Sequence, residues 1–162
     1  MMFNGTYNFL QLSDDLFTGG MPKVDQLADA AKQGVMVVIN LAPHDVPHAL
    51  PDEAELVHSL GMQYINIPVN WNTPTKEGLV KFMAAMDEHK DRKVLVHCEA
   101  NFRASAFVSM YRILREDWKP DEALEVMHKI WDEDAYPVWK MFIEDMLKRS
   151  RENSQYGCED PA

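Results

Sequence analysis

The sequence predicts one α/β domain in which a central, mostly parallel sheet of four to five strands is flanked by helices. Three observations carry this expectation. Two short runs, 35–41 (VMVVINL) and 93–97 (KVLVH), are apolar almost throughout, as suits strands buried on both faces. Segments with apolar residues at helical spacing alternate with such runs. The chain has 162 residues and is 46% hydrophobic, enough for a single core.

The elements follow in order. Residues 9–12 and 16–18 read as short strands around a turn at Ser13-Asp14-Asp15. Val24, Leu27, Ala28 and Ala31 share one helical face, and Gly34 stands where a helix C-terminal glycine belongs. After the strand 35–41, residues 52–60 form a helix closed by Gly61, and 63–69 a strand that Pro68 ends. Thr73-Pro74-Thr75 supplies a cap and a first-turn proline to a helix whose apolar stripe is Leu79, Phe82, Met83 and Met86. The strand 93–97 precedes three helices, 104–116, 120–131 and 137–151. The last presents Val138, Trp139, Phe142, Ile143, Met146 and Leu147 on one face. The expected domain is 1–151, and 152–162, which loses its apolar residues, is a frayed tail. Right-handed crossovers between parallel strands put ligands beyond the strands' carboxyl ends, after Leu41, Val69 and His97.

Charge narrows the partners. Sixteen Lys and Arg against 26 Asp and Glu give a net charge of −10, which argues against nucleic acid, an anionic membrane surface or a long polyanion. A small anion held by a locally positive loop remains compatible with it. The two cysteines, Cys98 and Cys158, are too few for a disulfide framework. No apolar run reaches the roughly 18 residues of a membrane helix, and residues 1–9 do not resemble a signal peptide. The expected location is therefore the cytoplasm. Cys158, in the polar tail, is expected to be an inert exposed thiol, and the oligomeric state is not legible.

One segment combines the parts of an active site: His97-Cys98-Glu99-Ala100-Asn101-Phe102-Arg103-Ala104-Ser105, running from a buried strand into a helix. A helix N-terminus offers free amides and a favourable dipole to anions, and the same field favours a thiolate nucleophile. Loop amides can cradle phosphate oxygens, with a guanidinium gripping two of them. Asn101 suits a left-handed loop position.

This arrangement resembles the phosphate loop of the cysteine-dependent protein tyrosine and dual-specificity phosphatases. The resemblance extends to residues 16–22 (LFTGGMP), 34–41 and 64–75, which are similar to the compact bacterial branch filed as a phosphatase-like domain of unknown function. It implies the phosphotyrosine-phosphatase-like fold, a phosphocysteine intermediate on Cys98, oxyanion binding by the loop Glu99–Ala104 with Arg103, and a Ser105 that stabilises the leaving thiolate. It requires no cofactor and implies a small phosphorylated substrate or a phosphoprotein. Two features depart from the family pattern. Four residues instead of five separate Cys98 from Arg103, so Ala104 occupies the usual arginine position while Asn101 and Ser105 keep the usual glycine and serine places. The stretch 68–74 (PVNWNTP) offers Asn70 and Asn72 where the family has a general-acid aspartate. An amide donates no catalytic proton at neutral pH.

Other readings of these residues stay open. Cys98 alone fits a buried structural thiol, Arg103 a surface partner of Glu99, and Ser105 a helix cap. His97 is expected to support the loop through backbone contacts, and Glu99 to face solvent. His44, Asp45, Asn70, Trp71 and Asn72 are the candidate pocket rim. The pair His44 and His48 lacks further ligand residues, so no metal site is expected. Asp45, Glu77, Glu99 and Asp134 are candidate substitute acids. The functional alternatives are a non-catalytic phosphate-binding module and a rhodanese-like sulfurtransferase.

Overall fold

The computed structural model describes residues 2–155, with side chains as far as Arg149. Five strands form one sheet in the order β1-β2-β5-β3-β4. They are β1 (Leu10–Gln11), β2 (Leu16–Gly19), β3 (Val35–Asn40), β4 (Gln63–Asn66) and β5 (Lys93–His97). β1 pairs antiparallel with β2, and every other pairing is parallel. The six α-helices are α1 (Val24–Lys32), α2 (Glu53–Ser59), α3 (Lys76–Glu88), α4 (Phe102–Arg115), α5 (Pro120–Met127) and α6 (Pro137–Gln155). The α/β architecture and mostly parallel sheet are those the sequence predicts.

Each strand face has its own core. Val38 of β3 and Leu95 of β5 pack with Phe3, Phe17, Leu27 and Val57 on the side of α1 and α2. Their neighbours Val37, Ile39, Val94 and Val96 face Phe82, Phe107, Trp139 and Ile143 from α3, α4 and α6. A two-residue period with apolar layers on both sides produces the continuous apolar runs. Every residue from Arg103 to Arg112 is buried, which makes α4 the central helix of the larger layer.

Some boundaries differ from expectation. Pro74 lies outside α3, because Thr75 caps that helix by accepting from the Gly78 N–H at 3.1 Å. Met36, Val24 and Val138 are about half exposed, against the stripes that included them. Met36 sits at a register irregularity between β3 and β5, and the other two lie in first helical turns that project past the core. α6 continues to Gln155, and the remainder of the expected tail, Cys158 included, lies outside the described residues.

Phe107 is fully buried, edge-on to Phe82 at 5.6 Å between centroids and flanked by Trp139 and Phe142. Phe107→Ala is expected to lower stability by about 3–5 kcal/mol through lost burial and a residual cavity. Urea unfolding should show a lower midpoint with an unchanged slope.

Candidate active site

The carboxyl ends of the three central strands lie side by side, with His97 in register with Gly19 on one flank and Asn40 on the other. Cys98 leaves β5 from this edge. Its N–H donates to the Gly19 carbonyl at 3.3 Å, and its side chain is 1% exposed. The chain then turns through Asn101, at φ 68° and ψ 7°, and enters α4 at Phe102. Asparagine is among the few residues that tolerate this conformation, and here its side chain is fixed as well. Asn101 Nδ2 donates to the Asn8 carbonyl at 2.7 Å and to Thr18 Oγ1 at 3.0 Å.

The outer side of the loop is tied to the N-terminal segment. The Glu99 carbonyl accepts from the Met21 N–H at 2.9 Å, and the Ala100 carbonyl accepts from Asn8 Nδ2 at 2.9 Å. Among the described residues, the backbone amides of Glu99, Ala100, Phe102, Arg103 and Ala104 donate to no protein acceptor. Three of these are the orphan donors of a helix first turn. Together with the helix dipole they provide the chemistry of an oxyanion cradle.

Arg103 is 5% exposed and joins two walls of the site. Nη1 donates to the Val69 carbonyl at 2.8 Å, and Nη2 pairs with Glu99 Oε1 at 2.8 Å. Glu99 therefore does not simply face solvent, as expected from sequence: it is partly buried and holds the arginine one helical turn on. Ser105 does not cap α4 either, since it lies inside the first turn with Asn101 at the cap. Its Oγ donates to the Phe102 carbonyl at 3.2 Å and accepts from Trp131 Nε1 at 3.1 Å. Ala104, at the position expected for arginine, is fully buried.

Behind the loop lies a polar network that sequence reasoning missed. His97 Nε2 is 2.6 Å from Glu53 Oε2, and Nδ1 lies 3.3 Å from the Cys98 carbonyl. Asn40 Nδ2 donates to Glu53 Oε1 at 3.3 Å and to the Tyr64 hydroxyl at 3.1 Å, while its Oδ1 accepts from the Ala42 N–H. Tyr64 in turn lies 3.0 Å from His44 Nε2. Burial, opposed by the Asn40 hydrogen bond and aided by the Glu53 charge, pushes the Tyr64 hydroxyl up to about 12, so it remains protonated at neutral pH. His97 thus has a carboxylate partner in addition to the backbone contact expected. Glu53 carries no sequence signal, because it sits in the acidic stretch 52–55 (DEAE), which looks like an ordinary solvated helix start.

The rim residues separate into two groups. Asn70 and Asn72 are exposed and form a local turn, with the Asn72 N–H donating to Asn70 Oδ1 at 2.8 Å. Trp71 points inward to an aromatic cluster, stacked on Trp139 at 5.1 Å and within 6 Å of Phe102, Trp131 and Tyr136. On the other side of the loop, His44 and Asp45 are exposed. A mainly apolar cavity of about 650 Å³ abuts Glu99 and Ala100 and is walled by Tyr7, Met21, Val24 and Leu50. Among the described residues, the one cluster with metal-ligand proximity is the largely exposed His128, Asp132 and Glu133, which excludes His44 and His48.

The central strand of this sheet delivers a buried cysteine to a helix N-terminus, the arrangement expected from the resemblance to the cysteine-dependent tyrosine and dual-specificity phosphatases. A family model described as "DSP-PTPase phosphatase fused to NAD+ Kinase" matches residues 8–144, and the chain belongs to this family. It is 37% identical to a DUF442 protein from Shewanella putrefaciens CN-32, over 89% of this chain and 91% of that one, with a TM-score of 0.81. TpbA of P. aeruginosa, in complex with pTyr, is 18% identical over 89% and 90% of the two chains, with a TM-score of 0.68. PTPMT1 in complex with PI(5)P is 20% identical over 88% and 99%, with a TM-score of 0.69. The last two likenesses concern the fold. No curated protein matches the chain. No described helix is long and apolar enough to cross a membrane.

Glu53→Leu should leave His97 Nε2 and one Asn40 donor without a carboxylate in a buried setting. A loss of about 1–3 kcal/mol is expected, with the loop destabilised beyond the global effect. Amide hydrogen exchange at residues 98–102 that rises no more than the global stability change would show that the carboxylate does not support the loop.

Proposed function

We propose that the chain hydrolyses a phosphomonoester through a phosphocysteine on Cys98. The observation that carries this reading is the set of five unpartnered loop and first-turn amides around a buried cysteine. Cys98 Sγ forms a bond to phosphorus as the phosphorus–oxygen bond to the leaving alcohol breaks. The amides stabilise the equatorial oxygens, whose charge must be held in place during transfer. Water then attacks phosphorus, the sulfur–phosphorus bond breaks to return the thiolate, and phosphate leaves. Ser105 lies one turn into α4, and its hydroxyl supports that returning thiolate by turning its proton from the Phe102 carbonyl to the sulfur. The substrate class is a small phosphorylated molecule or a phosphorylated side chain, in keeping with the pTyr and PI(5)P bound by proteins of the same fold. The apolar cavity beside Glu99 and Ala100 suits an ester with an apolar alcohol portion. The scarcity of cysteine supports a reducing, cytoplasmic setting for this reaction.

The connection that follows β4 contributes the amides Asn70 and Asn72 and no carboxylate. The leaving oxygen is therefore not protonated from this loop, a deficit of about 10²–10⁴ in rate for poor leaving groups. Turnover of aryl phosphates should rise steeply with the acidity of the phenol. Cys98→Ser should abolish it, and Asn72→Asp or Asn70→Asp should flatten the dependence. A rate that survives Cys98→Ser removes the phosphocysteine. A flat series in the unaltered protein assigns the proton to another acid. Inorganic phosphate binding without turnover of any activated ester makes the loop a binding module.

Glu99 competes with the substrate for Arg103 and repels a dianion. Glu99→Gln should tighten inorganic phosphate binding about three- to tenfold, the range given by an ion pair of up to about 1 kcal/mol plus relieved repulsion. Calorimetric titration reads the effect directly. An unchanged or weaker affinity would mean that Arg103 serves only to clasp Val69 to the loop.

A further inference from the structure

At the amino-terminal end of the sheet, opposite Cys98, a cavity of about 390 Å³ opens between the start of β5 and the C-terminal ends of α3 and α4. Its ionic lining is Lys90, Arg92 and Arg112 against Asp15 and Glu116, with Lys90 Nζ also 4.0 Å from Asp87 Oδ1. Leu16, Met86 and Trp118 add apolar surface to the walls.

Two buried groups in this wall are short of partners. Arg112 is 5% exposed; among the described residues its guanidinium has one hydrogen bond, from Nη2 to the Leu12 carbonyl at a long 3.4 Å, and lies over the face of Trp118, 4.1 Å from the ring centroid. Asp117, at φ 58°, ends α4 in a left-handed turn, and the Trp118 N–H returns to the Arg112 carbonyl, which holds the ring there. Glu116 acts on this guanidinium through its charge, yet the burial of Arg112 outweighs it and lowers the guanidinium's pKa. His89 is 3% exposed. Arg92 Nη1 lies 3.2 Å from His89 Nδ1, and arginine can only donate, so the ring proton of the neutral form sits on Nε2. That atom is buried without a hydrogen-bond partner, and Glu88 Oε2 lies 3.9 Å away, too far to accept. A buried guanidinium left with so few partners is costly, and a ligand in the cavity that accepts from Arg112 reduces the cost.

We infer that this cavity is a second anion site, which takes a small phosphate- or carboxylate-bearing molecule with its oxygens toward Arg112 and Arg92 and its apolar part against Trp118 and Met86. It is separate from the phosphate loop. Arg103 and Arg112 are nine residues apart on α4, about 13.5 Å along the helix axis, and the two sites lie beyond opposite ends of β5.

The test follows the Trp118 indole N–H resonance, assigned with Trp118→Phe, while inorganic phosphate or benzoate is titrated into the full chain at low ionic strength. A saturating shift with a dissociation constant of about 1 mM or tighter is expected, as suits a few charge-assisted contacts. It should persist in Arg103→Ala and disappear in Arg112→Gln. Lys90→Gln combined with Arg92→Gln changes exposed side chains and serves if Arg112→Gln does not fold. No shift, or an unsaturable shift shared by all four tryptophans, overturns the site. A shift lost in Arg103→Ala and kept in the double variant assigns the ion to the phosphate loop and overturns it equally. A Trp118 response in a protein that turns over no ester supports this site while removing the phosphatase reading, so the two fail independently.

Discussion

The backbone of Glu99 lies against that of Gly20, and the geometry of the site depends on this contact. A Cβ on Gly20 would fall 2.6 Å from the Glu99 carbonyl oxygen, closer than side chains come to backbone, and a tight 3.0 Å from the Tyr7 carbonyl. Only glycine lets the phosphate loop and the segment after β2 pair as they do, with Gly20 bridged to Ala100 and the Met21 N–H on the Glu99 carbonyl. Those bonds occupy carbonyls on the loop's outer side. Amides elsewhere in the loop are left without protein partners, as an anion cradle requires. The strictly positioned residue is thus nearly eighty positions away in sequence from the residue it positions.

A second constraint acts from behind. A strand that ends in His97 buries a polar ring at the junction of two cores, where an unpaired nitrogen would be costly. Glu53 resolves this by reaching both His97 and Asn40, which are in register on neighbouring strands. One carboxylate therefore fixes the ends of β3 and β5 relative to each other. Tyr64 extends the same network to β4 and to His44 on the rim. At the carboxyl edge of the sheet these side chains reinforce backbone bonds that continue past the strands, such as the Leu41 N–H to the His97 carbonyl at 2.8 Å.

The fold was legible because its signals are local and agree with one another. Apolar runs in β3 and β5, Gly34 and Gly61 at positive φ after helices, and the stripe on α3 each reflect short-range sterics or periodic burial. The cysteine loop was legible for the same reason: strand, thiol, left-handed Asn101 and helix are contiguous. Glu53, Asn8 and Trp131 were not, since their roles arise from contacts across tens of residues, and nothing in their immediate sequence separates them from ordinary surface or core positions. The Glu99–Arg103 pair, at i,i+4, is legible as well, but as a surface pair; that the guanidinium is buried while the carboxylate stays partly exposed follows from packing the sequence does not display.

Arg103 shows how a one-residue displacement can be absorbed. One position on a helix turns a side chain by about 100°, so an arginine at 103 leaves α4 in a different direction from one at 104. Position 104 is fully buried in the core cluster, where a guanidinium would lack partners, and alanine fits it. From position 103 the guanidinium spans Glu99 and the Val69 carbonyl, and so links the loop to the connection that follows β4. That connection carries Trp71, whose ring is fixed on Trp139 and whose carbonyl accepts from Trp139 Nε1 at 2.8 Å. The arginine is consequently braced on one side by an aromatic cluster and on the other by a partly exposed carboxylate. The carboxylate is the weaker of the two restraints, because water screens it and an incoming anion repels it. In the proposed reaction an entering phosphate would therefore compete only with the partly exposed Glu99 half of the clasp and would leave the Val69 half in place.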